Sequence, residues 1–149
     1  MNINYINEIT VSDFNNLRII SGWDAIEEEL ASNGIKNSLF KLTAKDGEKT
    51  VGIVRVIGDG GYVVLISDIM IYPEYQGRGI GRALMEKAMS YINDNIKTGQ
   101  SVFVNLMAAK DKEHFYTKFG FAIRPNEKSG PGMSQWISKE AVDSKEESK

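Results

Sequence analysis

Gly77, Gly79 and Gly81 alternate in the stretch Gln76-Gly77-Arg78-Gly79-Ile80-Gly81-Arg82, between a run that reads as a strand and one that reads as a long helix. Glycine admits positive φ and lets a ligand come close to the backbone. A helix start adds unpaired N–H groups and a partial positive charge. Together they suit a phosphate or pyrophosphate, and Arg78 and Arg82 would add side-chain charge. The Walker pattern G-x-x-x-x-G-K-[ST] does not fit, because both the spacing and the Lys are missing. The Rossmann fingerprint fails too: the glycines alternate, position 82 is Arg, and the next strand offers no acidic residue for a ribose. The competing reading is a glycine-rich turn that merely joins strand to helix.

Two other residues stand out. Asp68 lies inside the apolar run Val63–Ile71, where an unpaired charge is expensive. It therefore needs either a role or a partner, and Arg55 on the neighbouring strand is a candidate partner. Tyr116 sits among Phe115, Phe119 and Phe121, which by spacing alone reads as an aromatic core stripe. Glu27, Glu28 and Glu29 read as the solvated face of a short helix, with proton transfer through water as the alternative, His114 as exposed or a minor cofactor contact, and Asp59 as a hairpin residue. Cys is absent and His114 is the only histidine, which excludes disulfides, thiol nucleophiles and multi-histidine metal sites.

The elements that would position these residues follow from periodicity and punctuation. Residues 2–7 read as a strand, and Thr10 or Ser12 caps a helix with Phe14, Leu17 and Ile20 inward. Asp24 opens a second helix, with Ile26 and Leu30 inward and Gly34 as its stop. Residues 39–43, 50–57 and 62–72 form an antiparallel meander that Pro73 closes. The long helix after the glycines buries Ile80, Leu84, Ala88, Tyr91 and Ile92. Residues 102–107 read as a buried strand, 110–118 as a short helix, and 121–124 and 135–138 as two last strands around a Gly/Pro loop. Residues 1–138 make one α/β (α+β) domain on a mixed, mostly antiparallel sheet, followed by a charged tail over 139–149 that is expected to be disordered. With 42% hydrophobic residues in 149, a core is affordable without staples. A net charge of -2 gives no general attraction to nucleic acid. No basic n-region opens the chain and no span of about 18 apolar residues occurs, so neither export nor a membrane is expected and the cytoplasm is.

The segment 76–81 resembles the Q/R-x-x-G-x-G/A signature of the GNAT acetyltransferases, preceded here by Pro73-Glu74-Tyr75. Phe115-Tyr116-Thr117-Lys118-Phe119-Gly120-Phe121 resembles the family's Tyr-x-x-x-Gly-Phe element, and the order of elements over roughly 3–138 is similar as well. The resemblance implies a central sheet flanked by helices and splayed between strands four and five, with coenzyme A in the gap. It implies pyrophosphate on the backbone N–H groups of 77–82 and a pantetheine arm along Asp68, Ile69, Met70 and Ile71. One departure concerns the family's Asn-x-x-Ala, whose positions hold Ala109 and Lys112; Lys112 would instead reach a phosphate.

Amine attack on a thioester needs a neutral amine, support for the oxyanion and a proton for the departing thiolate. In the light of the resemblance, backbone N–H groups at a bulge near Met70 support the oxyanion and Tyr116 is the acid. Its reference pKa of about 10 lies just above the thiol's, about 8.5. Asp68 is the candidate base, with pairing to Arg55 as the alternative. Trp23, Arg124 and Met133 border the acceptor by the family's architecture, although Trp23 also suits plain core. The expected activity is transfer of acetyl from acetyl-CoA to a primary amine of a small molecule by direct attack in a ternary complex, with no metal. The expected partners are that small-molecule acceptor, without nucleic acid or membrane, in a monomer or homodimer. The alternatives are a catalytically silent acyl-CoA sensor and a peptide or protein acetyltransferase.

Overall fold

A computed structural model describes residues 1–139. From residue 140 the charged tail expected over 139–149 lies outside the described residues. One compact unit is Met1–Asp111 and a second begins at Lys112.

The first unit runs β1 (Ile3–Ile6), α1 (Val11–Ile20), α2 (Glu28–Lys36), β2 (Phe40–Asp46), β3 (Lys49–Gly58), β4 (Val63–Ile71), a 3-10 turn (Pro73–Tyr75), α3 (Ile80–Asp94) and β5 (Phe103–Leu106). Its sheet has the order β1-β2-β3-β4-β5. The first four strands pair antiparallel, and β5 joins β4 in parallel, so the sheet is mixed and mostly antiparallel as expected. Successive strand residues face opposite sides of a sheet. Ile53 and Met70 thus join Phe14, Leu17, Ala31 and Ile35 in a core under α1 and α2. On the other face Leu84 of α3 comes so close to β3 that a Cβ on Gly52 would lie 3.1 Å from its Cδ1. That close approach explains the glycine at 52.

Several local expectations change. Thr10 does cap α1, its hydroxyl accepting from Asp13 N at 3.1 Å, but Ile20 is exposed. The second helix starts at Glu28, not Asp24, because the Asn15 side chain takes both backbone groups of Ile26. Glu27 then caps it by accepting from the N–H groups of Glu29 and Leu30. This start turns Leu30 outward, 66% exposed, and Ala31 and Ile35 inward. Gly34 does not end the helix, which continues to Lys36. In α3 the buried stripe includes Met85, while Tyr91 is half-buried and stacks on Phe40 at 4.9 Å. The strand expected at 102–107 is not buried: β5 is the sheet edge, and Phe103 is half exposed.

In the second unit α4 spans Glu113–Thr117, shorter than 110–118. The two strands expected at 121–124 and 135–138 are absent from the described residues. Strand-like alternation forms no strand without a ladder partner, and here Arg124 Nε donates to Gly130 O while Asn126 and Ser129 close a turn.

Leu84 is fully buried and anchors the start of α3 against the sheet. Leu84→Ala should lower unfolding free energy by about 2–5 kcal/mol, read as a lower urea midpoint at unchanged slope.

Candidate active site

The glycine turn opens α3. Gly77 and Gly79 have φ of 77° and 85°, and a Cβ on either would meet nothing within 4 Å. The turn thus needs glycine for backbone conformation, and the space beside it is open. Gly79 is the N-cap and no side chain caps this helix, whereas Thr10 and Glu27 cap α1 and α2. Ala83 makes the first backbone bond, to Gly79 O at 3.0 Å, so the N–H groups of Ile80, Gly81 and Arg82 precede the helical ladder. Ile80 is buried and pins the helix start. Gln76 Nε2 donates to Ile71 O at 3.2 Å, folding the turn back on the end of β4.

The two arginines differ. Arg82 is exposed and only loosely paired with Glu86, at 3.6 Å. Arg78 lies over the Tyr75 ring, 5.1 Å from its centre. Tyr75 donates its hydroxyl to Asp46 Oδ2 at 2.7 Å, and Lys49 lies over Tyr72 at 3.9 Å. The residues before the glycines are therefore clamped to the β2–β3 hairpin. The Tyr75 bond holds the Asp46 carboxyl below its usual range; the same bond, followed by desolvation of the hydroxyl, raises the Tyr75 phenol.

The second feature lies in β4. Its ladder with β5 ends at Ile66↔Leu106, although β4 continues to Ile71. Among the described residues no strand borders Ser67–Ile71 on that side. Here the sheet opens between strands four and five. On the β3 side, Ile53–Arg55 face Ser67–Met70, so β4 carries one extra residue. This bulge holds Asp68 at φ 59°, left-handed backbone that Asp tolerates better than most residues, at a cost of about 1–3 kcal/mol. The Asp68 carboxylate accepts from Arg55 Nε at 2.8 Å and lies 4.0 Å from Arg18 NH1. All three side chains are nearly buried. Ile69 and Ile71 are half-buried, and Met70 points into the core under α1 and α2.

The first unit thus brings together Asp68, Ile69, Met70, Ile71 and the turn Gln76–Arg82 along one stretch of chain. Trp23, between α1 and α2, is 53% exposed and is not core. In the second unit Lys112 is the exposed N-cap of α4. Tyr116 on α4 packs edge-on against Phe115 at 5.0 Å, and burial pushes its phenol above the ordinary value. Arg124 is exposed, and Met133 is 88% exposed. His114 is exposed, as expected. Sequence reasoning did not single out Arg18, Asp46 or Tyr75, and it read Gly34 only as a helix stop. The one available signal for Arg18 and Arg55 was the need of Asp68 for a partner.

The model of the GNAT acetyltransferase domain matches residues 38–123, more than half of the chain. The chain belongs to the GNAT acetyltransferase family. A solved structure of a protein of unknown function from meticillin-resistant Staphylococcus aureus, described as a probable acetyltransferase, is 34% identical, with a TM-score of 0.80 over 91% of this chain and 100% of that one. A GNAT family protein of Streptococcus pneumoniae is 29% identical, with a TM-score of 0.72 over 93% and 98%. An uncharacterized N-acetyltransferase of Pyropia yezoensis is 28% identical over 70% of this chain, which spans 60% of that relative's length.

The clamp below the turn of this GNAT domain can be read directly. Tyr75→Phe should raise the Asp46 pKa toward the ordinary 3.8, as followed by carboxyl carbon NMR. A lowered folded pKa contributes stability that is full above the ordinary value and lost as pH falls through the folded one. The stability gap between wild type and Tyr75→Phe should therefore close as pH drops below about 3.8. An unchanged Asp46 titration would mean that the bond does not hold the carboxyl.

Proposed function

We propose that this GNAT domain transfers the acetyl group of acetyl-coenzyme A to the primary amine of a small molecule, the amine attacking directly in a ternary complex. The observation that carries this reading is an open strand edge, Ser67–Ile71, leading within a few residues into an uncapped helix start at Gly79. The edge offers backbone partners to an extended amide-bearing arm. The helix start offers N–H groups and a partial positive charge to a pyrophosphate. The backbone of Gly77–Arg82 holds the diphosphate, Ile69–Ile71 line the arm, and Lys112 reaches a phosphate. Backbone N–H groups at the bulge support the developing oxyanion.

Tyr116 donates the proton that the departing thiolate needs. Burial raises the phenol above its ordinary value of about 10, so the donor form is present at neutral pH. Trp23, Arg124 and Met133 contact the acceptor. Of the two roles expected for Asp68, its 2.8 Å contact supports pairing with Arg55 over general base. The amine then loses its proton to water.

Gly79→Asp places a negative charge where the diphosphate is assigned, at a left-handed φ of 85° that Asp adopts more readily than most residues. Calorimetry should show coenzyme A affinity reduced at least tenfold in a variant whose circular dichroism is native. Unchanged affinity in the folded variant removes the assignment. Tyr116→Phe keeps the ring and deletes one proton. Turnover should fall about a hundredfold or more with little change in acetyl-CoA affinity, and the defect should shrink above about pH 8.5, where the thiolate leaves unprotonated. Tight coenzyme A binding with no thiol release across aryl amines, polyamines, amino acids and aminoglycosides would replace catalysis by a binding role.

A further inference from the structure

We infer that Arg55 is a positioning residue for the acetyl-transfer site, and that Asp68 acts through it as a strut and not as a proton acceptor. The inference rests on the acetyltransferase reading and deepens it. The observations concern how much of the molecule one buried guanidinium ties together. Arg55 Nε donates to Asp68 Oδ2 at 2.8 Å, within the bulge of β4. Its NH1 donates to Gly34 O at 2.8 Å and to Ser38 Oγ at 3.1 Å, at the C-terminal end of α2. Ser38 Oγ itself donates to Gly34 O, which closes the network. The planar head also lies 5.8 Å from the centre of the Phe14 ring on α1.

Arg18 extends the same link: it lies 4.0 Å from the other Asp68 oxygen and donates through Nε to Asp24 O in the α1–α2 loop. One carboxylate on an irregular strand is thereby joined to both helices on that face and to the loop that presents Trp23.

Gly34 supplies an independent sign that the contact shapes the sequence. A glycine inside a helix is unfavourable relative to alanine. Here a Cβ at residue 34 would lie 3.3 Å from Arg55 NH1, so glycine keeps room for the guanidinium. The left-handed conformation of Asp68 sits opposite the same contact, with Arg55 paired to Ser67 in the ladder. The bulge sets the direction of the backbone N–H groups assigned to the oxyanion, and the Arg55 fork holds the bulge. Lysine keeps the charge but cannot reproduce two directed bonds from one plane.

The test uses the whole chain with acetyl-CoA and whichever amine the acceptor panel identifies. Arg55→Lys and Asp68→Asn should each lower kcat at least tenfold while coenzyme A affinity by calorimetry stays within twofold. The double variant should fall little further than the worse single one, because both changes weaken the same Arg55–Asp68 contact. The acid limb of the kcat profile should persist in Asp68→Asn, since on this reading it reports the amine. A folded Arg55→Lys with wild-type kcat overturns the inference, and so does loss of the acid limb in Asp68→Asn, which would make Asp68 the base. If the pair variants do not fold, Gly34→Ala decides: kcat should drop severalfold with helix content retained, and wild-type kcat overturns the strut. Failure of the acetyltransferase reading itself is distinct, since the wild-type chain would then release no thiol with any amine.

Discussion

Backbone N–H and C=O groups need partners wherever water is excluded, and β4 finds them along its full length on one edge only. On the β3 side the ladder runs from Gly58↔Val64 to Gly52↔Ile71 with one extra residue accommodated at the bulge. On the β5 side it stops at Ile66↔Leu106. The open edge and the bulge of the first unit both belong to this half-paired strand. Its first half fixes it in the sheet, and its second half has no bordering strand on that side among the described residues, which is where we assign the extended arm of the ligand. The same residues carry the bulge, so the open edge and the irregular backbone coincide.

A strand left open beside a helix start must be held from elsewhere, and the structure does this on two sides. Below the turn, the Tyr75 hydroxyl on Asp46 and Lys49 over Tyr72 fasten residues 72–75 to the β2–β3 hairpin. Beneath the bulge, Arg55 and Arg18 fasten Asp68 to α1 and α2. A buried ion pair adds little net stability compared with a well-packed apolar substitute. Its value here is geometric, because each guanidinium bond also has a direction set by α2 or the α1–α2 loop. The glycines of the turn complete the arrangement by admitting positive φ with open space beside them.

Much of this was legible in the sequence, and the misses share a cause. The meander, the long α3 and the glycine turn follow from local signals: β-branched runs, a 3.6-residue apolar stripe and alternating glycines. The start of α2 was misplaced because Asn15, eleven residues upstream, captures Ile26. Burial of β5 was overestimated because its place at the sheet edge is a property of topology. The last two expected strands lacked a ladder partner among the described residues. For the site, the cost of a lone carboxylate in an apolar strand pointed correctly to Arg55 as partner of Asp68. The positive φ of Asp68 and the Asp46–Tyr75 bond, made across 29 positions, have no short-range signature. Tertiary contacts decided each of these.

Amide hydrogen exchange with and without coenzyme A tests the central claim most directly, since the claim concerns backbone groups on an open strand edge and at a helix start. Saturating coenzyme A should slow exchange at the amides of Gly77–Arg82 and, on the open edge of β4, within Asp68–Ile71. Amides on the β3-paired part of β4, around Val64–Ile66, should change little. Binding that leaves both segments exchanging at their ligand-free rates, or that protects other segments instead, would contradict the account.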